Sequence, residues 1–179
     1  MPRHLRDAAP GIHHVVVGAT GPSPYYLDDT DRLDWVRRLI RTLDRCDWTC
    51  LALCLMTTHV HVLLETSDES LPLGMHFLNT GYGKAFNDRH ERLGNLLRAR
   101  YWSKRMQDDQ QLLAAFRYVA RNPFRAGLCE RPDEWFWSSF ATSCGLAQTF
   151  PFVDASRVLS LLGAPPATPW QVLSALVRD

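Results

Sequence analysis

The hydrophobic and polar positions change period several times along the chain, and each change marks an element. "IHHVVVGAT", residues 12–20, is a β-branched run closed by the turn-rich "GPSP", and it predicts a strand. Thr30 or Asp31 can cap a following helix, in which Leu33, Val36, Ile40 and Leu43 recur at helical spacing. "WTCLALCLM" and "HVHVLLE" are apolar runs that meet around Thr57 and Thr58, as adjacent strands joined by a tight turn do. Leu71 to about Asp88 predicts a second helix, weakened by Gly74, Gly81 and Gly83. "LLRARYWSKRM" then predicts a basic, aromatic strand or extended segment. In "DDQQLLAAFRYVARNP" an Asp pair opens a third helix and Pro123 is expected to stop it.

This order predicts an α+β fold: a ferredoxin-like antiparallel sheet with helices packed on one face. After Gly127 the character changes. "ERPDEWFWSSF" leads into two short helical patterns, "DASRVLSLLG" and "PWQVLSALVRD", separated by "APPAT", which predict a small C-terminal helical extension. Trp135 and Trp137 are read as packing anchors rather than base-stacking groups.

Composition narrows the class. The 179 residues, 46% hydrophobic and 22% charged, suit one globular unit with a real core. No apolar run approaches the roughly 18 residues of a membrane span, and "MPRHLRDAAPG" lacks the apolar centre of a secretory signal. The expectation is a cytoplasmic protein with no membrane partner. Cys46, Cys50, Cys54, Cys129 and Cys144 form no C-x-x-C pair, so no disulfide framework is expected, and the first three are read as small buried thiols rather than zinc ligands.

Net charge is only +1, but its distribution is uneven. Between Lys84 and Arg125 ten basic residues face four acidic ones, while the rest of the chain is net acidic. A positive segment suits a phosphate backbone, as it also suits a solvated charged surface.

The chemistry-bearing residues lie in two places. In "MTTHVHVLLE" strand alternation puts His59 and His61 on one face, where two imidazoles can share a metal ion or serve as ordinary strand residues. On the third helix Tyr118 and Asn122 are four apart and share an edge. A phenol with a pKa near 10 is a nucleophile only with help from a cation or a positive field. A divalent ion held by His59, His61 and an oxygen such as that of Asn122 would polarise a phosphate. Tyr118 also reads as a half-buried helix tyrosine. His13 and His14 are read as plain strand residues.

"MTTHVHVLLE", followed about fifty residues later by "RYVARNPFRAGL", resembles the IS200-like tyrosine transposases of the HUH endonuclease class, especially their REP-associated branch. "HHVVVGAT", "AFNDRHERLGNLLRARYWSK" and "PDEWFWSSF" extend the resemblance over roughly residues 10 to 142. It implies a transposase domain over 10–127 and the extension over 128–179. It implies Mg²⁺ or Mn²⁺ bound by His59, His61 and Asn122. It further implies attack by Tyr118 on single-stranded, hairpin-bearing DNA, leaving a 5′-phosphotyrosine and a free 3′-hydroxyl. The expected protein is a monomer or homodimer.

The basic contact surface is expected at Arg98, Arg100, Tyr101, Trp102, Lys104, Arg105, Arg117, Arg121 and Arg125. Thr57 and Thr58 depart from the family's common M-P-N-H-x-H, and "GATGPSP" replaces its usual Arg-Gly pair. Two other classes stay open. One is a nucleic-acid-binding descendant without chemistry; the other is a metal-dependent hydrolase, with Glu65 as the nearest carboxylate.

Overall fold

Both faces of the central strands are apolar, and that dictates the layering. The computed structural model describes residues 8–19, 24–97, 101–163 and 169–178. Strands β1 (Gly11–Gly18), β2 (Thr49–Leu55), β3 (His59–Thr66) and β4 (Trp102–Arg105) form one antiparallel sheet in the order β2-β3-β1-β4. Helix α1 (Asp29–Cys46) connects β1 to β2, and α2 (Leu71–Arg89) connects β3 to β4. This is the ferredoxin-like arrangement.

One face of the sheet presents Val15, Val17, Leu53, Leu55, Val60, Val62 and Leu64, which pack on α1 and α2. The opposite face presents Ile12, Ala52, Cys54 and Leu63, which pack on α3 (Asp109–Arg125) through Leu112, Ala115, Phe116 and Val119. Helices therefore cover both faces, not one. Strands apolar on alternate positions of both parities must be buried twice.

The helix ends obey capping chemistry, with one correction. Asp28, not Thr30 or Asp31, caps α1: its carboxylate accepts from Asp31 N at 3.1 Å. Asp31 is buried, where it accepts from Leu27 N and pairs with Arg89 and His90 of the α2 end. The core stripe of α1 is correspondingly rotated. Trp35, Leu39 and Leu43 point inward, and Leu33 is 45% exposed. In α2 the residue Gly74 has a reason: a Cβ there would overlap the Trp48 ring.

Pro123 does not stop α3, which runs on to Arg125. It sits in the last turn, so few helical bonds follow it; Ala126 N and Leu128 N donate to the carbonyls of Asn122 and Pro123.

Past Gly127, α4 (Phe140–Ser143), α5 (Ser156–Leu161) and α6 (Pro169–Arg178) pack against the second core. The segment also closes the β2 edge. Leu55 N donates to Trp137 O at 2.8 Å, Ser139 N to Leu53 O at 2.9 Å, and Asp154 N to Cys50 O at 2.8 Å. Trp137 is buried, and Trp135 Nε1 donates to Leu55 O, so both are anchors as expected. Cys50, Cys54 and Cys144 are buried free thiols. Among the described residues no helix is long and apolar enough to cross a membrane.

Candidate active site

Three histidines from two neighbouring strands form a row on the second face. In the β1–β3 register Gly18 lies opposite His59, Val16 opposite His61, and His14 opposite Leu63, so all share one side of the pleat. His14 Nε2 is 3.0 Å from His61 Nδ1, and His61 Nε2 is 3.0 Å from His59 Nε2. Thr58 Oγ1 lies 3.0 Å from His59 Nδ1. His14, read from sequence as a plain strand residue, is therefore part of the site.

The distances admit more than one set of tautomers. In one, His14 Nε2–H donates to His61 Nδ1, and His61 Nε2–H donates to His59 Nε2. In another, His61 Nδ1–H donates to His14 Nε2 and His59 Nδ1–H donates to Thr58 Oγ1. Both Nε2 atoms then carry lone pairs. Two donors about 2.0–2.1 Å from an octahedral ion, at right angles, lie about 3.0 Å apart, so the pair fits a divalent cation. Thr58 and His14 are the groups that hold the rings and their protons in that form.

Burial keeps the row neutral. His61 is 4% exposed and its pKa falls to about 3, chiefly through desolvation, with His14 and His59 adding to the effect. His14, 8% exposed, falls to about 4 through desolvation and the nearby Lys104. Desolvation lowers His59 as well. Neutral imidazoles are the form that binds metal. Among the described residues no group of three or more His, Cys, Asp or Glu side chains is placed to hold a metal ion.

Helix α3 sets Tyr118 at the edge of this row. Its ring stands edge-on to His61, with centroids 5.4 Å apart at 86°, and to His14, at 5.8 Å and 65°. It remains 44% exposed. Asn122 lies one turn on, its Nδ2 donating to the Tyr118 carbonyl oxygen at 2.8 Å. Trp102 and Lys104 of β4 pair with Val16 and His14 respectively, so they flank the row on the same face.

The remaining expected contact residues separate. Tyr101 is corrected: it is 5% exposed within the α1–α2 core, and its ring is not available to DNA. Arg105 has the parity opposite to Lys104 and leaves on the other side of the sheet. Arg121 lines a separate groove with Phe124, Arg131, Trp170 and Arg178. Arg117 is half-buried and Arg125 exposed. Arg98 and Arg100 lie outside the described residues.

No family model matches the chain. A Haemophilus influenzae protein named as a REP-associated tyrosine transposase is 23% identical over 111 residues, covering 56% of this chain. The match spans 63% of that relative's length. In fold, a solved REP-associated tyrosine transposase bound to a REP hairpin superposes with a TM-score of 0.72 at 16% identity, over 87% of this chain and 94% of that one. In sequence and in fold the chain is thus similar to REP-associated tyrosine transposases, the branch that its two motifs resemble.

Proposed function

We propose that the protein is a DNA strand transferase of the REP-associated tyrosine transposase type, acting on single-stranded DNA beside a hairpin. The observation that carries the reading is the edge-on packing of an exposed Tyr118 against two buried, neutral histidines of a converging row. Tyr118 Oη forms the new bond to phosphorus as the P–O3′ bond breaks. The phenolic proton is given up and the departing 3′ oxygen takes one, leaving a 5′-phosphotyrosine and a free 3′-hydroxyl. Rejoining is the same exchange in reverse, with a 3′-hydroxyl as nucleophile.

His59 Nε2, His61 Nε2 and the Asn122 amide oxygen would hold Mg²⁺ or Mn²⁺. Bound there, the ion supplies Lewis-acid polarisation of a phosphoryl oxygen. Lys104 adds positive charge on the flank where phosphate must approach. Similarity to a relative named as a tyrosine transposase, and to a structure carrying a REP hairpin, supports the same class of substrate here.

The test is covalent capture. The protein is mixed with Mn²⁺ and a pool of single-stranded hairpin DNAs with varied flanks, then resolved under denaturing conditions. A linked species is expected for the wild type with metal, and none for Tyr118→Phe or His59→Ala. DNA binding without linkage in the wild type would favour a binding protein that has lost its chemistry.

A further inference from the structure

The second face of the sheet is unevenly covered. α3 lies over β2 and β3 and reaches β1 at Ile12, whereas the Val16 and Trp102 end of the β1–β4 half is an open shelf. The shelf and the wall of α3 bound an open cavity of about 360 Å³. That volume falls within the roughly 300–1,000 Å³ range of small-ligand sites. Val16 and Trp102 form its floor, Lys104 its rim, and Gln111, Ala114 and Tyr118 its wall. Gln111, Ala114, Ala115 and Tyr118 are spaced at helical intervals, so the face of α3 that carries the proposed nucleophile has only the small side chains of Ala114 and Ala115 one turn before it.

Trp102 is the unusual member. The other tryptophans are buried or partly buried, whereas this indole is 52% exposed. It is not loose: its ring meets the His14 ring at 5.5 Å and 87°, and its backbone is held in the sheet opposite Val16. A large apolar ring, fixed at one edge and open to water beside an exposed lysine, has the two properties of a single-strand stacking platform. Lys104 accounts for the phosphate, and the ring for the base.

We propose that this cavity seats one unpaired nucleobase of the substrate strand, stacked on Trp102, with its phosphate directed to Lys104 and Tyr118. The proposal rests on the single-stranded DNA reading above and specifies which nucleotide the site grips: the one beside the attacked phosphate. Stacking is sequence-tolerant, so the seat supplies position rather than base identity.

The experiment measures binding without chemistry. Fluorescein-labelled oligothymidylate of about eight nucleotides, within the usual site size of roughly 4–16, is compared by anisotropy with an abasic strand of equal length and charge. Intrinsic tryptophan fluorescence is followed with unlabelled strands. With chelator present, the wild type is expected to bind the thymidylate strand about 5- to 150-fold more tightly than the abasic one, with quenching by the thymidylate only.

Trp102→Ala should lose most of that preference while binding the abasic strand as before, and Trp102→Phe should recover the preference without the quenching. Equal binding of the two strands, or a base preference that survives Trp102→Ala, overturns the seat, as does failure to bind either strand. A covalent-capture band without base preference removes the seat alone. Base preference without any capture band removes the transferase reading and leaves the seat standing.

Discussion

His14 offers the sharpest test of the histidine row. His14→Phe keeps a ring against Trp102, Tyr118 and His61 but deletes the nitrogen 3.0 Å from His61 Nδ1. His61 is 4% exposed, so its Nδ1 proton cannot turn to water. Leaving that proton unpaired costs about 1–3 kcal/mol. The escape is to move the proton to Nε2, which withdraws the lone pair that a cation needs. By either route the affinity for Mn²⁺ is expected to fall about 5- to 150-fold, which overlaps the roughly 10–100-fold typical of groups that orient metal-bound histidines. The assay is Mn²⁺ titration followed by the electron paramagnetic resonance of the free ion, without DNA, with thermal unfolding to verify the fold. His14→Gln, which can both donate and accept, should recover most of the affinity. A folded His14→Phe that binds Mn²⁺ like the wild type would refute the positioning argument, and a wild type that binds no Mn²⁺ would remove the cation itself.

Two further predictions concern the scaffold. With chelator present, unfolded histidines take up protons near pH 6.5, whereas buried His61 and His14 resist to about 3 and 4. The unfolded state then binds more protons in that window, so stability should fall by a few kcal/mol as pH drops from about 6.5 towards 4.5. Asp28, held low chiefly by Arg89, loses its contribution only below its ordinary value of 3.8, outside that window. Urea midpoints at the two pH values test this, and a drop retained in a His14→Phe, His61→Phe double variant would assign it elsewhere. Gly74→Ala should destabilise by about 1–3 kcal/mol despite the better helix propensity of Ala, because the new methyl meets the Trp48 ring. A chemical-denaturation midpoint at or above that of the wild type would show that α2 does not need to approach so closely.

The order of elements was legible because alternation and helical spacing are local properties, and β1 to α3 stand close to where the pattern puts them. Properties set between distant elements were not. Two adjacent histidines in a strand must point to opposite faces, so "HH" guaranteed one imidazole on each side of β1. Only the register, which sets Val16 against His61, brings His14 beside the row and leaves His13 in the other layer. The same parity divided the basic segment, sending Lys104 to the site and Arg105 away from it, and burying Tyr101 while exposing Trp102. A run of charges in sequence is not a patch until the pleat has been assigned. Pro123 misled for a different reason: a missing N–H matters little in a last turn whose carbonyls find donors beyond the helix.

The C-terminal segment shapes the site although it supplies none of the histidine row. Phe140, Val158, Leu173 and Val177 belong to the same core as Phe116, Val119 and Ala120, so α3 is packed between the sheet and this extension. Val119 and Ala120 follow Tyr118 directly in sequence, so their burial fixes the rotation of the helix and turns Tyr118 towards the row. Backbone bonds from residues 137, 139 and 154 hold the extension to β2, at the edge opposite β4. Anchored there, the extension keeps α3 over β2 and β3. Had α3 been centred on the sheet, it would have covered the β1–β4 shelf and closed the cavity that Trp102 and Lys104 now line. The open part of the face is therefore a consequence of what lies at the far edge of the sheet, which is why the segment that looked like an appendage bears on where a strand of DNA can lie.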